Sequence, residues 1–136
     1  MNCTFFGHKD CLSAITPQLE SVVENLIRNN NVNHFYIGNH GNFDKIALHT
    51  LIELKRKYPH ITYEIVLAYI PKKQIDYPTL YPEGIENSPK KFAICFRNKW
   101  MVNHSDYVIS YTRHNFGGAY QFTELAKRQN KIVINI

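Results

Sequence analysis

The sequence predicts a Rossmann-like α/β fold: one three-layer α/β/α domain, residues 1–136, around a mostly parallel sheet of about five strands. Three observations carry that expectation. Short β-type runs alternate with helical patterns along the chain, the stretch from Ile65 to Ala68 is uninterruptedly apolar, and the turns after the strands bear glycine. A continuous apolar run suits a strand covered on both faces, as parallel sheets are. A chain of 136 residues is long enough to bury roughly two-thirds of its unfolded surface in one core.

Cys3-Thr4-Phe5-Phe6 reads as the first strand. Thr16-Pro17 then offers an N-cap hydroxyl and a proline at the first helical position. Behind them Ile15, Leu19, Val22, Val23, Leu26 and Ile27 recur at helical spacing and are expected to face the sheet. Asn29-Asn30-Asn31 stops this helix, because asparagine tolerates the left-handed conformation. His34-Phe35-Tyr36-Ile37 is the second strand. Asn42 is the expected cap of a second helix with Ile46, Ala47, Leu51, Leu54 and Tyr58 inward and Pro59 ending it. Thr62 to Tyr69 reads as the third strand and Tyr107 to Tyr111 as the fourth. A last helix from about Ala119 to Gln129 passes through Asn130 into the closing strand, Lys131 to Ile136.

Between the third and fourth strands the pattern changes. Pro71, Pro78, Pro82 and Pro89 break regular structure, yet Tyr77, Leu80, Tyr81 and Ile85 are too apolar for a free linker. The stretch 71–90 is therefore expected to be an ordered loop, serving as a lid, as a contact surface, or as packing over the sheet edge. Ser88-Pro89 is placed to cap a helix carrying Ala93, Phe96, Trp100 and Met101, the last two read as core.

Composition narrows the function classes. No run approaches the roughly 18 uncharged apolar residues of a membrane helix, and the amino terminus lacks a basic region followed by a long apolar stretch. Cys3, Cys11 and Cys95 form neither a CxxC pair nor an even set. Reduced thiols and a cytoplasmic location are the expectation. Seven histidines (8, 34, 40, 49, 60, 104 and 114) show no HxxxH or HExxH spacing, so neither a metal nor a cofactor is expected. The net charge of +5 suits an anionic partner, although its clusters, Lys55-Arg56-Lys57, Lys72-Lys73 and Lys90-Lys91, also read as solvated surface.

Ligands of open parallel sheets bind beyond the carboxyl ends of the strands, so the residues that follow each strand are the informative ones. They are Gly7-His8, then Gly38-Asn39-His40-Gly41-Asn42, then Thr112 to Gly118 with Gly117-Gly118 leading into Ala119. Glycine lets backbone approach a phosphate, and the first helical turn offers unpaired N–H groups. Neither turn matches GxGxxG or a Walker P-loop. Gly7, His8, Gly38, Asn39, Gly41, Asp44, Thr112, Gly117, Gly118 and Ala119 are thus the candidate ligand-binding residues. Asp44 reads either as a partner of its helix macrodipole or as a ligand for ribose hydroxyls. His8 reads as a ligand contact or a loop cap, and Asp106, at the remote end of the fourth strand, as structural.

As a set, Thr4-Phe5-Phe6-Gly7-His8, Phe35 to Asp44, Arg97-Asn98-Lys99-Trp100-Met101 and Gly117-Gly118-Ala119-Tyr120 resemble the SLOG superfamily. That group is named for the DNA-processing protein DprA and the LOG phosphoribohydrolases, and the likeness is to its small bacterial single-domain members of unassigned function. It covers nearly the whole chain and is weakest from Pro71 to Lys90. Two segments are similar to the LOG enzymes in particular. Their Arg-Lys-x-x-Met resembles Arg97 to Met101, with Asn98 in place of lysine. Their Gly-Gly-x-Gly-Thr-x-x-Glu resembles Gly117 to Glu124, with Tyr120-Gln121 in place of Gly-Thr and Phe116 in place of the preceding proline.

The resemblance implies a nucleotide or nucleotide-derived ligand, bound by a sensor or regulator. It also implies an enzymatic alternative, hydrolysis of a nucleotide N-glycosidic bond, with Glu124 and Arg97 as catalytic candidates: a carboxylate stabilises the oxocarbenium-like state while an arginine clamps the phosphate. A third reading is single-stranded nucleic-acid binding as in DprA, which the positive charge and 18 Tyr, Phe and Trp residues favour. A scaffold acting through the Pro-rich loop, as a homo-oligomer, is a fourth.

Overall fold

A computed structural model describes all residues from Met1 to Ile136. Six strands, β1 (Asn2–Gly7), β2 (His34–Ile37), β3 (Thr62–Val66), β4 (Thr79–Leu80), β5 (Tyr107–Tyr111) and β6 (Ile132–Asn135), form one sheet in the order β4-β3-β2-β1-β5-β6. Every neighbouring pair is parallel, with Thr4 opposite Tyr36 on one side of β1 and opposite Val108 on the other. The helices are α1 (Thr16–Asn29), α2 (Gly41–Lys57), α3 (Ala93–Asn103) and α4 (Gly118–Arg128).

The period-two alternation of the strands sorts side chains between two cores. Cys3, Phe5, Phe35, Ile37, Tyr107 and Ile109 turn to one face and meet Leu19, Val23 and Leu26 of α1 and Phe43, Ala47 and Leu51 of α2. Phe6, Tyr36, Val66 and Val108 turn to the other and meet Met101 and Val102 of α3 and Phe122 and Ala126 of α4. The first core holds 18 buried residues and the second 8. The thinner α3/α4 side is therefore the one with room for a cleft.

Several local expectations change in detail. Thr16 is the first residue of α1 rather than its cap: a short turn at Ser13–Ile15 precedes the helix, and the Thr16 hydroxyl donates to the Ser13 carbonyl at 2.7 Å. Asn42 does not cap α2, which begins at Gly41. The carboxylate of Asp44 instead reaches back to accept the His40 N–H at 2.9 Å. Asn31 (φ 58°) and Asn130 (φ 60°) do adopt the left-handed conformation just beyond the ends of α1 and α4.

The 71–90 stretch is more than a loop. Ile65 donates its N–H to Pro78 and Leu67 to Leu80, both at 2.8 Å, so Thr79–Leu80 adds an edge strand beyond the five expected. Proline is tolerated next to it because an edge strand leaves one side of its backbone unpaired. Ile85 then buries itself against Ala68 and Ala93 and ties the segment to α3.

Candidate functional site

The strand order turns at β1: successive strands run outward from it through β2 and β3 to β4, and the chain then returns to β5 on its other side. Such a switch opens a crevice between the loops at the carboxyl ends of the strands. Here the loops after β1, β2 and β5 converge with α3 on a cavity of about 530 Å³, within the roughly 300–1,000 Å³ typical of small-molecule sites.

Seven of the residues singled out in the sequence line this cavity together: Gly7, His8, Asp44, Arg97, Gly117, Gly118 and Ala119. Lys9, Asp10, His40, Asn98 and His114 join them without having been singled out. A signal for Asn98 was available, since Ile94, Arg97, Asn98 and Met101 are spaced i, i+3, i+4, i+7 and form one stripe of α3 facing the cavity. Gly38, Asn39, Gly41 and Thr112 do not line it. Asn39 stands behind the wall, its Oδ1 accepting from Arg97 at 3.2 Å, while the Thr112 carbonyl accepts from Arg113.

The glycines fall into two kinds. A Cβ at Gly7 would lie 2.1 Å from the Phe43 ring, and one at Gly38 would lie 2.7 Å from Asp44 Oδ2. Gly41 combines a φ of +85° with a Cβ position 2.6 Å from the Lys9 backbone. These three are glycine because protein packs where a side chain would stand, not because a ligand does. Gly117 and Gly118 have nothing within 4 Å of the Cβ position. They open α4, whose N-cap makes no side-chain hydrogen bond. The first amides of that helix thus face the cavity with no capping oxygen, carrying the partial positive charge of the dipole.

Arg97 lines the same cavity from α3 and is only 3% exposed. Its Nε donates to Asn98 Oδ1 at 2.8 Å, and its Nη1 donates to Asn39 Oδ1 and to the Val66 carbonyl, both at 3.2 Å. Nη2 has no protein partner and is not sealed from solvent. Burial lowers the Arg97 pKa, and the charges of Asp44 and Tyr69 oppose that shift. Asp44 is pushed up to about 6 by burial, against the pull of the His40 N–H and the Arg97 charge. One of its oxygens takes the His40 N–H, while the other has no protein donor.

His8 accepts the Arg113 N–H on Nε2 at 2.7 Å, which leaves the proton on Nδ1 and pins the start of the β5–α4 loop. Burial, then the neighbouring His114, lower its pKa. His40 is lowered by burial and by Arg97 and Lys9. Both imidazoles are therefore kept neutral near the cavity.

Glu124 stands apart from this constellation. It lies nearly two turns into α4, in a more open groove of about 520 Å³ shared with Phe116, Tyr120, Gln121 and Arg128, and pairs with Lys127 at 3.1 Å. Gly117 and Gly118 border both spaces. No trio of His, Cys, Asp or Glu side chains is gathered in a metal-binding arrangement, and no helix is long and apolar enough to cross a membrane.

No protein-family model matches the chain, and no curated protein matches it. Among solved structures, DNA processing protein A from Helicobacter pylori, described for its single-stranded DNA binding mode, is similar with a TM-score of 0.66 at 13% identity. The similarity covers 99% of this chain and 64% of that one, so the chain spans less than two-thirds of that protein's length. The likeness shows the fold alone, a Rossmann-like α/β/α domain.

Proposed function

We propose that the crevice binds a nucleotide or nucleotide-derived compound and that the protein acts as a sensor or regulator of it. One observation carries this reading: the uncapped, glycine-led start of α4 opens on a cavity that is also lined by a buried guanidinium with a free N–H face. Helix-start amides hold phosphate, and an arginine with a free N–H face supplies a directed donor to a further acceptor of the same ligand.

Thermal denaturation with AMP, ADP-ribose and NAD tests it. A ligand present at about a hundred times its Kd adds about 2.7 kcal/mol to stability, a rise of several degrees in Tm. Gly118→Asp should fold normally, since open space surrounds that position, yet lose the shift by placing a carboxylate at the helix start. No shift with any nucleotide in the native protein would defeat the proposal.

The arrangement supports binding over turnover. The cleavage chemistry inferred from the LOG resemblance needs a carboxylate beside the sugar, and Glu124 faces the neighbouring groove, paired with Lys127. Release of free base from a nucleoside monophosphate, abolished by Glu124→Ala, would reverse that preference. Single-stranded nucleic-acid binding is the second reading. It draws on the likeness to DNA processing protein A and on exposed Phe92, over which the Lys91 ammonium lies at 5.1 Å.

A further inference from the structure

We infer that the crevice is polarised, with the phosphate held at Gly117-Gly118 and a nucleobase edge, rather than phosphate or sugar, held by Arg97 together with Asp44. The inference rests on the ligand class proposed above and reassigns Arg97 from phosphate clamp to base reader.

Arg97 is nine-tenths buried, its Nε and Nη1 are spent on protein oxygens, and only Nη2 is left for a ligand. Asp44 stands next to it across Gly38: the Cβ position of that glycine is 2.7 Å from Asp44 Oδ2 and 3.3 Å from the Arg97 Cζ. A phosphate dianion placed on Nη2 would sit beside a carboxylate, and like charges in a partly desolvated cleft repel strongly. A neutral group that pairs an N–H donor with an adjacent acceptor meets no such penalty. It gives its hydrogen to the free Asp44 oxygen and takes one from Nη2.

Nucleobase edges have that pattern. So does a ribose diol, but the apolar surroundings favour the base. Ile94 and Met101 flank Arg97 on the same stripe of α3, and Phe6 lies on the sheet below. Flat rings gain from such walls, whereas a diol does not. At the phosphate end, the open Gly117-Gly118 amides share the cavity with His114 of the same loop and suit the phosphate. The volume of about 530 Å³ accommodates one nucleotide between the two ends.

Calorimetric titration decides the matter with AMP, CMP, GMP, UMP, the 2′-deoxy form of the tightest of these, and ribose 5-phosphate. The tightest nucleotide should bind at least about tenfold better than ribose 5-phosphate, the scale of one charged hydrogen bond, and its deoxy form should bind equally well. Asp44→Asn keeps an oxygen for the His40 N–H but turns an amide N–H toward the ligand. It should erase the tenfold advantage while leaving ribose 5-phosphate within twofold. Ribose 5-phosphate binding as tightly as every nucleotide, a large loss on removing the 2′-hydroxyl, or equal weakening of nucleotide and sugar phosphate by Asp44→Asn would each overturn the inference but leave the phosphate site intact. If neither nucleotides nor ribose 5-phosphate bind, the broader reading falls with it.

Discussion

At the scale of single residues, the crevice is built from groups held in states that cost stability. Asp44 has its pKa moved from 3.8 to about 6 by burial. Between those values the native state binds more protons than the unfolded chain, so this group makes stability rise as pH falls from about 6 to about 4. At neutral pH it costs the fold up to about 3 kcal/mol. His8 and His40 act in the opposite sense. Their lowered pKa values mean that the unfolded chain takes up protons first as pH drops below about 6.5, so stability is lost there. Asp44→Asn removes one side of this opposition. The variant should be more stable than the native protein at pH 7.5 and lose stability more steeply between pH 6.5 and 4.5, as read from urea midpoints across that range. Equal pH profiles for the two proteins would show that Asp44 is not the strained group described here. Glycine carries the complementary lesson. A sequence shows Gly7, Gly38, Gly41, Gly117 and Gly118 as equivalent turn residues, but only contact distances separate the three that make room for protein from the two that stand beside open space.

Elements were legible where their signal is periodic. The stripes Leu19, Val23, Leu26 and Ala47, Leu51, Leu54 announce α1 and α2 because a helix must bury one face, and the strands next to β1 follow from short β-branched and aromatic runs. β4 was not legible, since two residues between Pro78 and Pro82 carry no period and gain strand geometry only from the exposed edge of β3. The convergence of Arg97, Asp44 and Gly118 was legible only in part: turn position suggested the loops, but α3 comes to them through the 71–90 segment, whose path no local rule specifies. That path hangs on Ile85, 2% exposed in a three-residue cluster with Ala68 and Ala93. Ile85→Ala should cost about 2 kcal/mol, the low end for a buried isoleucine in so small a cluster. Its effect should be local. The Leu67 amide, bonded to Leu80, should exchange with solvent much faster in the variant, while amides of β1 and β5 keep their protection. Uniform acceleration across the sheet would mean that the segment is integral to the main core rather than anchored by one side chain.

For the molecule as a whole, the question is whether its positive charge serves a polyanion or a single bound nucleotide. A surface that tracks a nucleic-acid backbone needs cations aligned along one groove. Here they are dispersed, and three of the 16 lysines and arginines are paired. Lys57 meets Glu24 at 3.0 Å and Arg56 meets Glu53 at 3.5 Å, at the carboxyl end of α2 and hence on the edge of the sheet opposite the crevice, while Lys127 meets Glu124. The four lysines at 72, 73, 90 and 91 share their segment with Asp76, Glu83 and Glu86. Lys9 and Arg97 share the crevice lining with Asp10 and Asp44, a balance suited to recognition at short range rather than to long-range steering. Salt dependence reads this difference directly. A single-stranded oligonucleotide contacting about five phosphates would lose about a hundredfold in affinity between 50 and 200 mM salt, because each contact releases condensed counterions. A mononucleotide has no such atmosphere to release, and its affinity should change by less than about fivefold over the same range. Titrating oligothymidylate and the best-binding mononucleotide in parallel, with Gly118→Asp as the control, assigns the charge. If the oligonucleotide binds more tightly at low salt, falls steeply, and ignores the Gly118 substitution, then the surface of the 71–92 segment is the working face and the crevice is not.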